Sequence, residues 1–156
     1  MPSTRPIRLD EWGISWEEYK ELSYFCLQYE RKKREADALL TIRLSTPEPA
    51  TYRRGGVEFG TFLPRGSGQT SDPVAQTAAR RERLLSDVRM IDQAAQTAAR
   101  IVDNPTVAPA LIRAVTTRGG IRAVFAGPDR PACGERQFYR ARRVFFWALR
   151  EIKGST

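Results

Sequence analysis

The clearest pattern in the sequence is the stretch GERQFYRARRVFFWALREIK at residues 134–153. In a helix, its arginines and one tryptophan repeat at spacings of four, three, four and three and share a face: Arg136, Arg140, Arg143, Trp147 and Arg150. Apolar residues repeat at the same rhythm on the opposite face: Phe138, Ala141, Phe145, Leu149 and Ile152. The pattern predicts a helix that docks on a core by its apolar side and presents a cationic side to a polyanion.

The residues before this stretch predict two shorter helices. Residues 103–105, Asp-Asn-Pro, break the preceding helix, Thr106 is placed to cap the next one, and Gly119 with Gly120 ends it. A short helix is predicted at residues 121–126, followed by a proline-containing turn. This order is typical of a helix-turn-helix, although the turn is wider than the three or four residues of the simplest form.

Two long helices are predicted in the first half of the chain. Ser15 and Glu18 have the spacing of a capping box, so we expect a helix at about residues 15–44. Asp72 followed by Pro73 predicts the start of a second helix, because proline at the first helical position loses no hydrogen bond. This second helix is expected to reach about residue 103 and to pair antiparallel with the first.

The predicted fold class is therefore all-α, in two parts. Residues 1–103 form a helical hairpin, and residues 104–156 form a three-helix unit similar to a helix-turn-helix. The connection at residues 45–71 is rich in Gly, Pro, Ser and Thr and is too long for an ordinary helix-helix turn. A short strand or hairpin near Val57 fits the local alternation, but no convincing partner strand was identified. Arg53, Arg54 and Arg65 make this loop a secondary candidate for phosphate contact.

The composition favours an anionic partner. The formal net charge is +8 with a pI near 10.1, and most of it comes from arginine, whose planar fork gives two hydrogen bonds to one phosphate or carboxylate. The same field attracts RNA, an acidic protein or an anionic membrane. Two cysteines without metal-site spacing indicate neither a disulfide scaffold nor a zinc site, and the reducing cytoplasm is the expected compartment. No stretch has the length of a signal-peptide core or a membrane span.

The residue inventory argues against an enzyme. The sequence has no histidine, which removes the usual general base and most transition-metal sites. Residues 66–70 resemble a phosphate loop only superficially, because Gln69 stands where the lysine is required. Cys133 lies at the predicted start of the last helix, where the helix dipole lowers a thiol pKa, but no base or second cysteine accompanies it. We therefore predict no catalytic residue, no metal and no cofactor.

The candidate site residues follow from the helix-turn-helix geometry, in which the beginning of the last helix enters the major groove. Base contacts are predicted for Arg136, Gln137 and Arg140, because Arg pairs with guanine and Gln with adenine through two hydrogen bonds each. Phosphate contacts are predicted for Arg130, Tyr139, Arg143 and Arg150. Trp147 is assigned to packing in preference to nucleic acid. The competing interpretation of the arginines is a solvated helix face.

Three segments, residues 71–84, 111–117 and 133–143, resemble small phage and prophage proteins of Gram-positive bacteria, and residues 19–29 resemble them more weakly. These proteins are late-gene transcription regulators of the ArpU and RinA kind, whose C-terminal helix-turn-helix is similar to the promoter-reading region four of sigma factors. The resemblance implies a sequence-specific transcriptional regulator in the cytoplasm of a bacterial host. It also implies double-stranded promoter DNA and RNA polymerase as partners, with the long helices serving homo-oligomerisation or polymerase contact.

Two other functions remain open at this point. One is a phage-encoded protein-interaction module that inhibits or adapts a nucleic-acid-binding enzyme. The other is a small terminase-like DNA-packaging subunit, which also joins a helix-turn-helix to long helices. The first predicts little affinity for duplex DNA, and the second predicts a ring-sized oligomer.

Overall fold

The computed structural model describes residues 9–45, 53–54, 57–58 and 72–155. Over these residues the chain forms a short 3₁₀ helix at Asp10–Trp12 and the helices α1 (Trp16–Leu27), α2 (Tyr29–Ser45), α3 (Pro73–Ile101), α4 (Val107–Thr116), α5 (Gly120–Ala126) and α6 (Glu135–Gly154). Two short strands, β1 (Arg53–Arg54) and β2 (Val57–Glu58), pair antiparallel. The predicted all-α fold class is confirmed.

The small hairpin supplies the partner strand that the sequence analysis did not find. Arg54 pairs with Val57 and Arg53 with Glu58, and the sequence between the two strands is Gly-Gly, a pair that two-residue hairpins favour. Only the backbone is described at Arg53 and Arg54, and Arg65 lies outside the described residues. Their contact with phosphate stays a prediction.

The helix predicted over residues 15–44 is divided at Gln28. Its start is as predicted, because Ser15 and Glu18 form both hydrogen bonds of the capping box. The division arises because the two halves pack on different neighbours: α1 contacts α4 and α6, whereas α2 lies along α3. The helical hydrogen bond from Lys32 N to Gln28 O is kept at 2.9 Å, so the chain changes direction without a loop.

Helices α2 and α3 form the predicted antiparallel pair. Contacts made by side chains join residues that increase in number along α2 to residues that decrease along α3, as an antiparallel pair requires. They are Tyr29 to Asp92, Lys32 to Asp87, Glu35 to Arg80, and the Ala36 carbonyl to Arg81. The phenol of Tyr29 donates to Asp92 at 2.8 Å, and burial together with this hydrogen bond raises the pKa of Tyr29. Polar contacts therefore fix the register of the pair.

Helix α6 lies at the centre of the hydrophobic core. Five of its large apolar side chains are almost completely buried: Phe138, Val144, Phe145, Phe146 and Leu149. They form one cluster with buried residues of α1, α3 and α4, and α6 packs most extensively on α3. This cluster contains residues from both sides of the boundary predicted at residue 103. The division into two parts stays a prediction.

The three C-terminal helices begin and end within one or two residues of their predicted positions. Residues 127–134 connect α5 to α6, and the rings of Phe125 and Phe138 pack edge-on with centroids 5.2 Å apart. Thr106 does not cap α4 with its side chain. Its hydroxyl instead donates to Asn104 Oδ1 at 2.7 Å and accepts from Ala132 N at 3.2 Å, so it ties the start of α4 to the turn before α6.

Across the described ranges, the helices are too short or too polar to cross a bilayer. The same residues contain no group of His, Cys, Asp or Glu side chains arranged to hold a metal ion.

Candidate nucleic-acid interface

The positive charge of the chain is concentrated in its C-terminal third. Residues 104–156 contain ten Lys and Arg residues and three Asp and Glu residues, a net charge of +7, whereas the whole chain carries +8. The first 103 residues are therefore almost neutral. A polyanion is attracted to the part of the molecule built from α4, α5 and α6.

Three arginines at the beginning of α6 form an open cationic surface, which we call the arginine face: Arg136, Arg140 and Arg143. Arg136 and Arg140 are exposed, and neither forms an ion pair or hydrogen bond with another described residue. The Arg143 side chain is half-buried, and its Nε is fully buried without a hydrogen-bond partner among the described residues. An unpaired buried donor costs about 1–3 kcal/mol, and because this Nε is shielded from solvent, an outside anion meets only the exposed part of the Arg143 side chain.

Tyr139 lies at the edge of the arginine face. Helix geometry places it beside Arg136, three residues earlier, and beside Arg143, four residues later. Its side chain is half-buried, and a phenol can donate a hydrogen bond to a phosphate oxygen. Tyr139 therefore keeps its place in the candidate site.

The second half of the predicted cationic face is covered by the N-terminal segment. Arg150 Nε lies 3.4 Å from Glu18 Oε1, and the Trp147 ring packs on Trp12 with centroids 6.3 Å apart. Gly13 also approaches closely, since a Cβ at that position would lie 3.6 Å from Arg150 Nη1. The packing role predicted for Trp147 is confirmed. Arg150 has a carboxylate partner within the chain, so we omit it from the proposed interface.

Two other candidates are held away from the arginine face. The side-chain amide of Gln137 donates to Val102 O at 3.2 Å and so joins the start of α6 to the end of α3. The Arg130 guanidinium lies over the Phe125 ring, 5.5 Å from its centroid. Phe125 in turn packs on Phe138, on the buried side of α6, so Arg130 is engaged with a ring of α5.

The structure also places arginines that the sequence analysis did not assign. Arg142 faces α1, where its Nη2 donates to Tyr19 Oη at 2.9 Å, and this contact gives it a structural role. Arg118 lies just before α5 and Arg122 lies in its first turn. Both are exposed and have no ion-pair partner in the described part of the chain. A count of charge along the sequence would have identified this segment, whereas the search for helical spacing did not.

Both thiols are poor nucleophiles in this structure. Burial raises the pKa of Cys26 to about 12, against the opposing effect of Lys153 and Arg142. Burial also raises the pKa of Cys133, and Arg130 offsets this only in part.

The contact between Glu18 and Arg150 makes a testable prediction. Replacing Glu18 with Gln keeps an acceptor for Ser15 N, and with it the capping box, but removes the charge that faces Arg150. We expect the free energy of unfolding to change by less than about 1 kcal/mol, because the pair is half-exposed. Duplex affinity should rise, with a logarithmic salt slope steeper by up to about 0.9, because Arg150 becomes free to meet a phosphate.

The matched control is Glu82→Gln, which removes the partner of an exposed arginine, Arg89, on α3. Duplex affinity should not change in this variant. Equal gains from both substitutions would mean that overall charge, and not the release of Arg150, determines binding.

No protein-family model, curated protein or solved structure matches this chain.

Proposed function

We propose that this protein is a non-enzymatic, sequence-specific DNA-binding protein that contacts the duplex through the arginine face. The observation that carries the proposal is the presence of three arginines without carboxylate partners among the described residues on one side of α6, in the region that holds a net charge of +7. Two of them, Arg136 and Arg140, are exposed, and Arg143 is half-buried. The absence of histidine from the sequence supports a binding role over a catalytic one.

The proposed docking uses only the beginning of α6. In a helix-turn-helix, the first residues of the recognition helix contact base edges and later ones meet the backbone. Arg136 and Arg140 are the exposed pair nearest the helix start, and we assign them to guanine edges in the major groove. Arg143, one turn further on and half-buried, is assigned to phosphate. The N-terminal segment covers the later turns, so they take no part in the contact.

The regulatory role is a further step of the proposal. Regulation of phage or prophage transcription, with promoter DNA and host RNA polymerase as partners, rests on the resemblance of residues 71–84, 111–117 and 133–143. Base contacts by Arg136 and Arg140 would supply the sequence preference that such a regulator needs.

A salt titration of duplex binding tests the proposal. The one phosphate contact assigned, that of Arg143, predicts a logarithmic salt slope of about −0.9, so affinity should fall about 3.5-fold between roughly 50 and 200 mM salt. Selection from random duplexes at moderate salt should enrich a motif with guanines in one half-turn of the major groove.

A slope near zero, or no duplex affinity at roughly 50 mM salt, would contradict the proposal. Stoichiometric capture of one host protein from a nuclease-treated lysate, together with absent duplex affinity, would favour the protein-interaction module instead. Enrichment of no motif, with the slope intact, would reduce the function to nonspecific DNA binding.

A further inference from the structure

Helix α1 has large apolar side chains on its exposed outer face as well as on its buried inner face. Its inner face buries Leu22 and Cys26, whereas Trp16, Tyr24 and Leu27 on its outer face are 55%, 68% and 40% exposed. They are three of the six exposed large hydrophobic residues in the described part of the chain. A surface helix normally turns polar residues outward. Exposed Trp and Tyr side chains grouped on one helix instead indicate a protein-protein contact.

Helical spacing puts these residues on one surface, which we call the α1 outer face: Trp16, Lys20, Tyr24 and Leu27, with Glu17 and Glu21 along its edge. Glu21 Oε1 already lies 3.7 Å from Lys153 Nζ, so Glu17 is the edge carboxylate without an ion-pair partner among the described residues. The surrounding segment is acidic. Residues 9–28 contain five Asp and Glu residues and one Lys, a net charge of −4. The face therefore combines aromatic rings with carboxylates.

This combination fits an arginine-rich surface. Aromatic rings bind guanidinium groups through their negative faces, and a carboxylate accepts two hydrogen bonds from one guanidinium. A related contact is present within α1, where the Lys20 ammonium lies over the Trp16 ring, 5.2 Å from its centroid. Acidic charge also argues against a direct pairing of two α1 helices, since like charges would face each other.

The complementary surface is present on the same molecule. The arginine face carries three guanidinium groups without carboxylate partners among the described residues. It neighbours α1, because Glu18 of α1 contacts Arg150, which lies about 10 Å along α6 from Arg143. A chain that carries both members of a complementary pair side by side can form both contacts at once with a second copy, related by a two-fold axis.

We propose that the α1 outer face docks onto the arginine face of a second copy, in a reciprocal two-fold dimer. Each dimer then contains the contact twice. The arginine face is covered in the dimer and open in the monomer, so duplex DNA and the second copy compete for the same three arginines. This regulatory consequence rests on the proposed DNA binding, whereas the dimer itself does not.

The test measures the mass of the nucleic-acid-free protein by light scattering. It is repeated with variants in which one charge of the proposed contact is reversed. At about 50 mM salt the mass should rise with concentration from 17.7 kDa to twice that value, and it should fall back at about 0.5 M salt. Glu17→Arg and Arg140→Glu should each abolish the dimer, because each places like charges in both contacts. Mixing the two variants should restore it, because every contact then again pairs an arginine with a glutamate.

The matched control mixes the Arg140→Glu variant with a Glu82→Arg variant in place of Glu17→Arg. Glu82 lies on α3, away from the α1 outer face. No dimer should form from Glu82→Arg and Arg140→Glu beyond that of the Glu82→Arg chain alone. A monomer at every concentration, a ring-sized oligomer, or a mixture that fails to dimerise would overturn the proposal. Failure of duplex binding would leave the dimer standing and would overturn only the proposed function.

Discussion

Replacement of Arg136, Arg140 and Arg143 together with Ala is expected to reduce duplex affinity by about 500-fold at roughly 0.1 M salt. The loss combines two base contacts, worth about 1–3 kcal/mol each, with counterion release at the one phosphate that Arg143 meets. The logarithmic salt slope should fall from about −0.9 to near zero. Fluorescence anisotropy of a labelled duplex across a salt series measures both quantities. The fold should persist, because Arg136 and Arg140 are exposed and Arg143 forms no hydrogen bond with a described residue.

A matched control separates position from overall charge. Arg31, Arg34 and Arg83 are exposed residues of α2 and α3, and their replacement with Ala lowers the net charge by the same amount. We expect this variant to keep most of the duplex affinity and a slope close to that of the unaltered protein. Equal losses in the two triple variants would show that charge attracts the duplex without a defined site. Unchanged affinity in the first variant would exclude the arginine face.

The arrangement of α6 was predictable because it depends on helical spacing alone. The apolar residues Phe138, Phe145 and Leu149 recur at the spacing that buries one side, and all three are buried. The caps at Ser15 and Asp72 were equally local, since each uses a side chain within three residues of the helix start. These features need no knowledge of which elements meet.

The extent of the cationic face was not predictable, because it depends on contacts between distant residues. Glu18 and Arg150 are 132 positions apart in sequence, and the helical pattern of either segment does not reveal their contact. Gln137 was assigned to base recognition by its position in the helix, but Val102 O accepts from its amide. A helical wheel identifies a face, and only the packing of other segments decides how much of it stays open.

The direction change at Gln28 has the same origin. Tyr19, Leu22, Cys26 and Tyr29 continue one helical stripe, so the local pattern predicts an uninterrupted helix. In the structure the first three face α6 and α4, whereas Tyr29 hydrogen-bonds to Asp92 on α3. Tertiary packing therefore overrides a continuous helical pattern and places acidic α1 beside the basic α6.

Phe138→Ala is expected to lower the free energy of unfolding by about 3–5 kcal/mol, the typical cost of removing a fully buried aromatic ring. The Phe138 side chain is 0% exposed and is packed edge-on by Phe125 of α5. Its loss removes the ring contact that holds α5 against the start of α6. Urea unfolding followed by circular dichroism measures the change, and Phe138→Leu, which keeps most of the volume, should cost less than about 2 kcal/mol.

Tyr24→Ala is the matched control for this loss, because it also removes an aromatic ring from a helix. Tyr24 is 68% exposed, so in dilute, monomeric protein its removal should change stability by no more than about 0.5 kcal/mol. The difference between the two variants in the free energy of unfolding measures how much the packing of the Phe138 ring contributes to stability. A cost below about 1 kcal/mol for Phe138→Ala would mean that the buried side of α6 is not packed as described. The arginines on its other side would then lack a rigid support for reading DNA.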